Sequence, residues 1–153
     1  TDWLGLVPIF VAVGFALLGI IQWIKRKKLN KVDRSLFILG GFYVVVIAVY
    51  ILFEFVTVNY RPVLIGGRTE ASYPSSTTLL VMCIMSTAVM QFNTRIRNTF
   101  LKKFISALIV AFIIFMVAGR LVSGVHWFTD IVGAALLGSG LVMLYRYILS
   151  VTP

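Results

Sequence analysis

Charge is scarce in this chain. Of its 153 residues only 12 % are Asp, Glu, Lys or Arg, 60 % are hydrophobic, and the mean hydropathy is +1.01. Soluble domains carry about 25 % charged residues, and a water-soluble core of this size cannot hide so much apolar surface. Lipid is therefore the solvent expected for most of it. Acids are scarcer still: Asp2, Asp33, Glu54, Glu70 and Asp130 are scattered along the chain, which excludes the carboxylate cluster that Mg²⁺ requires. A single cysteine, Cys83, excludes a disulfide within the chain and a cysteine-based metal cluster, and reads as a small core residue in an apolar run. There is one histidine, His126. No methionine and no signal-peptide pattern opens the sequence, so Thr1 is expected to begin a fragment of something longer. Internal repeats and low-complexity tails are also missing, which suggests one membrane domain over residues 1–153.

What charge there is has the wrong distribution for nucleic acid, despite a net charge of +9. Eleven of the fourteen Lys and Arg lie in "KRKKLNKVDR", in "RIRNTFLKK" or at Arg146, each beside a long apolar run. That is the pattern of cytoplasmic membrane flanks. Five apolar segments follow, roughly Trp3–Ile24, Ser35–Phe55, Ser75–Phe92, Phe104–Val122 and Phe128–Ile148. Each is near the roughly 20 residues a helix needs to cross the hydrocarbon core. The runs are continuous rather than alternating, which argues against strands. The fold class expected is all-α, a polytopic transmembrane bundle with five helices in this chain. In the last segment, Ala134 with Gly138 and Ala135 with Ser139 form small-xxx-small pairs suited to close helix approach.

With the two basic loops on the cytoplasmic side, loops two and four face the other way. They hold the remaining positives, Arg61, Arg68 and Arg120, together with His126. In loop two, "YRP" ends a helix at Pro62, a Gly-Gly turn follows, and "YPSS" opens the third segment with Ser75 as its cap. The first amides of that helix, around Ser75, Ser76 and Thr77, make an anion site with the helix dipole. Arg120 adds a second guanidinium fork suited to phosphate oxygens. If residues 126–130 are helical, His126 and Asp130 lie one turn apart, and Asp130 holds one ring nitrogen while the other faces outward as a nucleophile. An anion pocket beside a nucleophilic imidazole points to phosphoryl transfer through a phosphohistidine, with no metal and no cofactor. Taken singly, His126 reads as an interfacial histidine, Asp130 as a helix-start acid and Arg120 as a snorkelling boundary residue. Their spacing and shared membrane side argue for a site.

Arg61-Pro62, Pro74-Ser75 and Arg120…His126…Asp130 resemble the three-part signature of the type 2 phosphatidic acid phosphatase family, integral membrane lipid phosphatases with a core like that of vanadium haloperoxidases. The family pattern is Lys, six residues, Arg-Pro; Pro-Ser-Gly-His; and Ser-Arg, five residues, His, three residues, Asp. Seven of its eleven specified positions match here with the spacing kept inside each part, over about residues 54 to 130. The resemblance implies that Arg61, Ser75 and Arg120 bind the phosphoryl group, that His126 attacks it and that Asp130 orients His126. It also implies a six-helix layout, with one N-terminal helix preceding this chain.

Four positions depart from the pattern. Glu54 replaces the family's Lys, Ser76 and Thr77 replace Gly and His, and Gly119 replaces Ser. The family's histidine at the Thr77 position is thought to protonate the leaving group, and a threonine hydroxyl is a poor acid near neutral pH. Glu54 sits seven residues before Arg61, two helical turns, and is a candidate partner for it. Arg68 and Glu70 read as solvated loop charges, and Tyr73 as an interfacial anchor or a substitute acid. These departures favour a polyprenyl (undecaprenyl) pyrophosphate over a phosphate monoester. The alternative is a catalytically impaired member that binds phosphorylated lipid headgroups or serves as a partner subunit. The partners expected are a phosphorylated membrane lipid and the bilayer, not nucleic acid, and the oligomeric state is open. The setting expected is a bacterial plasma membrane with the site on its extracytoplasmic face.

Overall fold

The computed structural model describes residues 3–28 and 31–152. Thr1, on which the expectation of a longer chain rests, lies outside them. Five helices among the described residues are long and apolar enough to cross a membrane. A single 3₁₀ turn, Trp3–Gly5, leads into α1 (Leu6–Arg26), which a basic loop connects to α2 (Arg34–Phe55). The third span runs from Ser76 to Arg95 and is built in three pieces: α3 (Ser76–Leu80), a π-helical turn (Val81–Met85) and α4 (Ser86–Arg95). The last two spans are α5 (Thr99–Ser123) and α6 (Phe128–Val151). The all-α transmembrane bundle expected from hydropathy is the fold observed, with each boundary within a few residues.

The third span, the most polar in sequence, is the one the others surround. Half of its most apolar window is buried, against 11 to 22 % in the other four. Leu79, Val81, Cys83 and Ala88 on it are fully buried and meet Leu39 and Val46 of α2, Met116 of α5, and Ala134 and Tyr145 of α6. The outer helices keep side chains such as Phe10, Ile114 and Leu136 exposed. In a bilayer these face hydrocarbon and need no protein partner. Polarity on the central span is what a bundle interior accommodates, because neighbouring helices supply the partners.

Those partners are specific. The Thr87 hydroxyl, just after the π turn, donates to the carbonyls of Cys83 and Ile84 inside it, both at 2.9 Å, where the ordinary ladder is interrupted. Gln91, itself buried, donates to the Tyr145 hydroxyl at 2.6 Å and to the Ser35 carbonyl at 3.3 Å. Arg95 reaches Asp33 and Ser35. The third span, α2 and α6 are thereby tied together at the end that carries the basic loops. Close packing also follows the small residues: a Cβ on Gly138 would lie 2.8 Å from the Cβ of Met82. Of the two small-xxx-small pairs, Ala134–Gly138 is buried against the central span, while Ser139 is exposed.

Candidate active site

Loops two and four meet at the end of the bundle opposite Lys25–Arg34. Loop two leaves α2 at Phe55 and folds back on itself through two isolated antiparallel bridges, Tyr60 with Ala71 and Ile65 with Arg68. Gly66 and Gly67 close the turn with φ of 57° and 77°, a conformation only glycine takes readily at both central positions. The register of this excursion fixes the site. The Arg61 N–H donates to the Glu70 carbonyl at 3.0 Å, and the Ser72 N–H donates to the Asn59 carbonyl at 3.0 Å. Arg61 is thus set opposite Glu70, and Ser72 arrives at the base of the site just before "YPSS".

Loop four starts at Gly124, whose φ of 65° ends α5. His126 lies in the short link before α6, not on the helix. This corrects the expectation of a His126–Asp130 pair one helical turn apart. Asp130 belongs to the first turn of α6, where its carboxylate caps the Trp127 N–H at 2.9 Å. The distance from His126 Nδ1 to Asp130 Oδ2 is 3.9 Å, too long for a hydrogen bond. Ser72 stands between them. Its carbonyl lies 3.0 Å and its hydroxyl oxygen 3.3 Å from Nδ1, and the same hydroxyl donates to Asp130 Oδ2. Asn59 donates to the other carboxylate oxygen at 2.9 Å. A carbonyl only accepts, so Nδ1 carries the ring proton and Nε2 keeps its lone pair.

Ser75 is fully buried at the N-cap position of α3, but its hydroxyl accepts from Thr78 at 3.1 Å and caps no amide. Its backbone N–H donates to the Asp130 carbonyl at 3.2 Å, which ties the start of α3 to α6. Ser76 lines the pocket. Arg120, buried near the end of α5, donates from Nη2 to the Thr77 hydroxyl at 2.6 Å. The residue in the place of the family's histidine is therefore an acceptor for the second arginine. Arg61 Nε lies 3.4 Å from Glu70 Oε2. Glu54, the partner expected for Arg61, lines the same pocket beside Tyr50, while the ion pair of Arg61 is the one with Glu70.

Arg61, Ser76, His126, Glu54, Tyr50 and Tyr73 are among the residues around a cavity of about 20 Å³. That volume holds about one water. Glu54 on the cavity wall and Glu70 beside Arg61 are both exposed. Tyr73 is a wall of the cavity: its ring packs edge-on to Phe53 and lies so near α6 that a Cβ on Gly133 would stand 2.3 Å from it. Burial, followed by the charges of Arg61 and Arg120, lowers the His126 pKa below its usual 6.5, against opposing contributions from the Ser72 carbonyl and Asp130. The imidazole is thus held neutral at pH 7, the form a nucleophile requires. Among the described residues no three His, Cys, Asp or Glu side chains converge, and the groups gathered here suit an anion.

Sequence reasoning did not single out Ser72, Asn59 or Tyr50. Ser72 acts partly through its backbone, which leaves no trace in side-chain chemistry, although its place directly before Tyr73-Pro74 was a usable pointer.

A family model described as the PAP2 superfamily matches residues 8–151. The structure is also similar to that of the first transmembrane PAP2 type phosphatidylglycerolphosphate phosphatase from Bacillus subtilis, with a TM-score of 0.64 and 17 % identity over 100 % of this chain and 80 % of that one. No curated protein matches the sequence.

Proposed function

The chain belongs to the PAP2 superfamily, and from that premise we propose that it is a membrane lipid phosphatase whose preferred substrate is a lipid pyrophosphate, polyprenyl (undecaprenyl) pyrophosphate being the best candidate. His126 attacks the terminal phosphorus through Nε2, forming an N–P bond as the bridging P–O bond breaks and its electron pair leaves with the lipid monophosphate. Water then attacks phosphorus, the N–P bond breaks, and its pair returns to Nε2. Arg61, Arg120 and the first amides of α3 at Ser76 and Thr77 stabilise the equatorial oxygens. Ser75 supports the start of that helix. The reading assigns no metal or cofactor to these steps.

The observation that carries this reading is the hydrogen bond of His126 Nδ1 to the Ser72 carbonyl, which leaves Nε2 for a cavity shared with Arg61. The preference for pyrophosphate rests on Thr77. With its hydroxyl engaged by Arg120, no strong acid stands where a departing alkoxide would need one, since alkoxide basicity is near that of hydroxide, pKa about 15.7. A phosphate monoester, with a second pKa of about 6, leaves without protonation. The positive-inside distribution supports a site open to the extracytoplasmic face, with a bacterial plasma membrane as the proposed setting.

A second reading is favoured by the two acids at the site: with Glu70 on Arg61 and Glu54 on the cavity wall, the chain binds phosphorylated headgroups, or serves as a partner subunit, without turnover. Phosphate release by the full chain from polyprenyl pyrophosphate and from phosphatidate, with and without chelator, separates the readings. The enzyme releases phosphate from the pyrophosphate at least tenfold faster, chelator or not. Equal or reversed rates refute the preference, and no release from either refutes the enzyme.

A further inference from the structure

We infer that Ser72 is the positioning residue through which Asp130 acts on His126: its carbonyl sets which ring nitrogen carries the proton, and its hydroxyl carries the carboxylate's influence to the ring. The role of His126 as nucleophile rests on the function proposed above; the role of Ser72 rests on geometry.

Asp130 cannot reach the ring itself, at 3.9 Å. Its oxygens are already committed, Oδ1 to Asn59 and Oδ2 to the Trp127 N–H and the Ser72 hydroxyl. The Ser72 hydroxyl has one proton, and Asp130 takes it. Toward His126 that oxygen is therefore an acceptor, sharing the Nδ1 proton with the Ser72 carbonyl at 3.3 and 3.0 Å. The continuous arrangement is Nδ1–H to Oγ and Oγ–H to Oδ2. Ser72 and Asp130 are both almost wholly buried, and in such surroundings hydrogen bonds in series strengthen one another.

The fold holds Ser72 for this task from two sides. Its N–H is bonded to Asn59 across loop two, and the next residue, Tyr73, is clasped against Gly133 of α6, where any side chain would collide with the ring. During attack Nε2 spends its lone pair on phosphorus and the ring becomes cationic. The series from Nδ1 to Asp130 stabilises that cation, and no proton has to cross it. Arg61 and Arg120 disfavour the same cation, Asp130 favours it, and Glu54 borders the cavity.

His126 is the only histidine in the chain, so ¹⁵N-histidine labelling of the full chain in detergent micelles reports a single ring. The neutral ring is expected with its proton on Nδ1 in the wild type and in Ser72→Ala, since the carbonyl survives that change. Ser72→Ala should lower the titration midpoint by about 0.5 pH unit or more, Ser72→Thr should restore it, and Ser72→Ala in an Asp130→Asn background should add nothing. Should Ser72→Ala not assemble, Ser72→Cys keeps the volume with a weaker hydrogen bond and moves the midpoint in the same direction. A wild-type ring protonated on Nε2, a midpoint unmoved in the Ala or Cys variant, or additive effects with Asp130→Asn would each overturn the inference. The readout needs no turnover: absent phosphate release would count against the proposed function, while the ring's titration would still decide the role of Ser72.

Discussion

The Glu70 carboxylate lies 3.4 Å from Arg61 Nε, across the excursion of loop two. The arginine proposed to bind phosphate is thus already in contact with a carboxylate, which phosphate would have to displace. Glu70 is about half exposed, so the pair is worth little beyond about 1 kcal/mol. Glu70→Gln is expected to lower KM for the lipid pyrophosphate about two- to fivefold and to leave kcat unchanged. Steady-state kinetics in mixed micelles check this, and an unchanged or raised KM contradicts it.

In the proposed function, Thr77 ties a substitution in the family pattern to substrate choice. A histidine there supplies an acid near neutral pH in its doubly protonated form, which gives up the hydrogen bond that Thr77 accepts from Arg120. Thr77→His is expected to raise turnover of phosphatidate relative to lipid pyrophosphate by about tenfold or more, within the range that general acids contribute. A ratio that does not move would separate Thr77 from the choice of substrate.

His126 carries a pH dependence of definite sign. Its pKa lies below the usual 6.5 because burial and the two arginines disfavour the cation. Lowered in the folded state, it leaves the ring neutral as pH falls past 6.5, and the linked stability, full above that value, is lost only on further acidification. The acid limb of kcat/KM is therefore expected below pH 6.5. A limb at or above 6.5, measured across buffers of constant ionic strength, runs against this.

Much of this was legible in the sequence, and the exceptions have physical reasons. Hydropathy located all five spans because length and apolarity are what a bilayer demands. The Gly-Gly turn was visible because positive φ leaves few alternatives to glycine. Glu54 was expected beside Arg61 from helical spacing, but α2 ends at Phe55 and the bridged excursion takes over, so register sets Arg61 opposite Glu70 instead. The direct His126–Asp130 contact failed for a similar reason: α6 begins at Phe128 and uses Asp130 to cap its own first turn. Spacing in sequence gives neighbours only where the element continues. The π turn at Val81–Met85 had no sequence signal, although Thr87, which satisfies its carbonyls, is the polar residue it required.

The central claim is that phosphate passes through His126. Full-length protein incubated briefly with a polyprenyl pyrophosphate radiolabelled in its terminal phosphate, then quenched and mapped by peptide, tests it most directly. Label on the peptide containing His126, absent in His126→Ala while that variant still binds the lipid, is the result expected. Phosphate release by the wild type with no labelled His126, or release undiminished in His126→Ala, would contradict it.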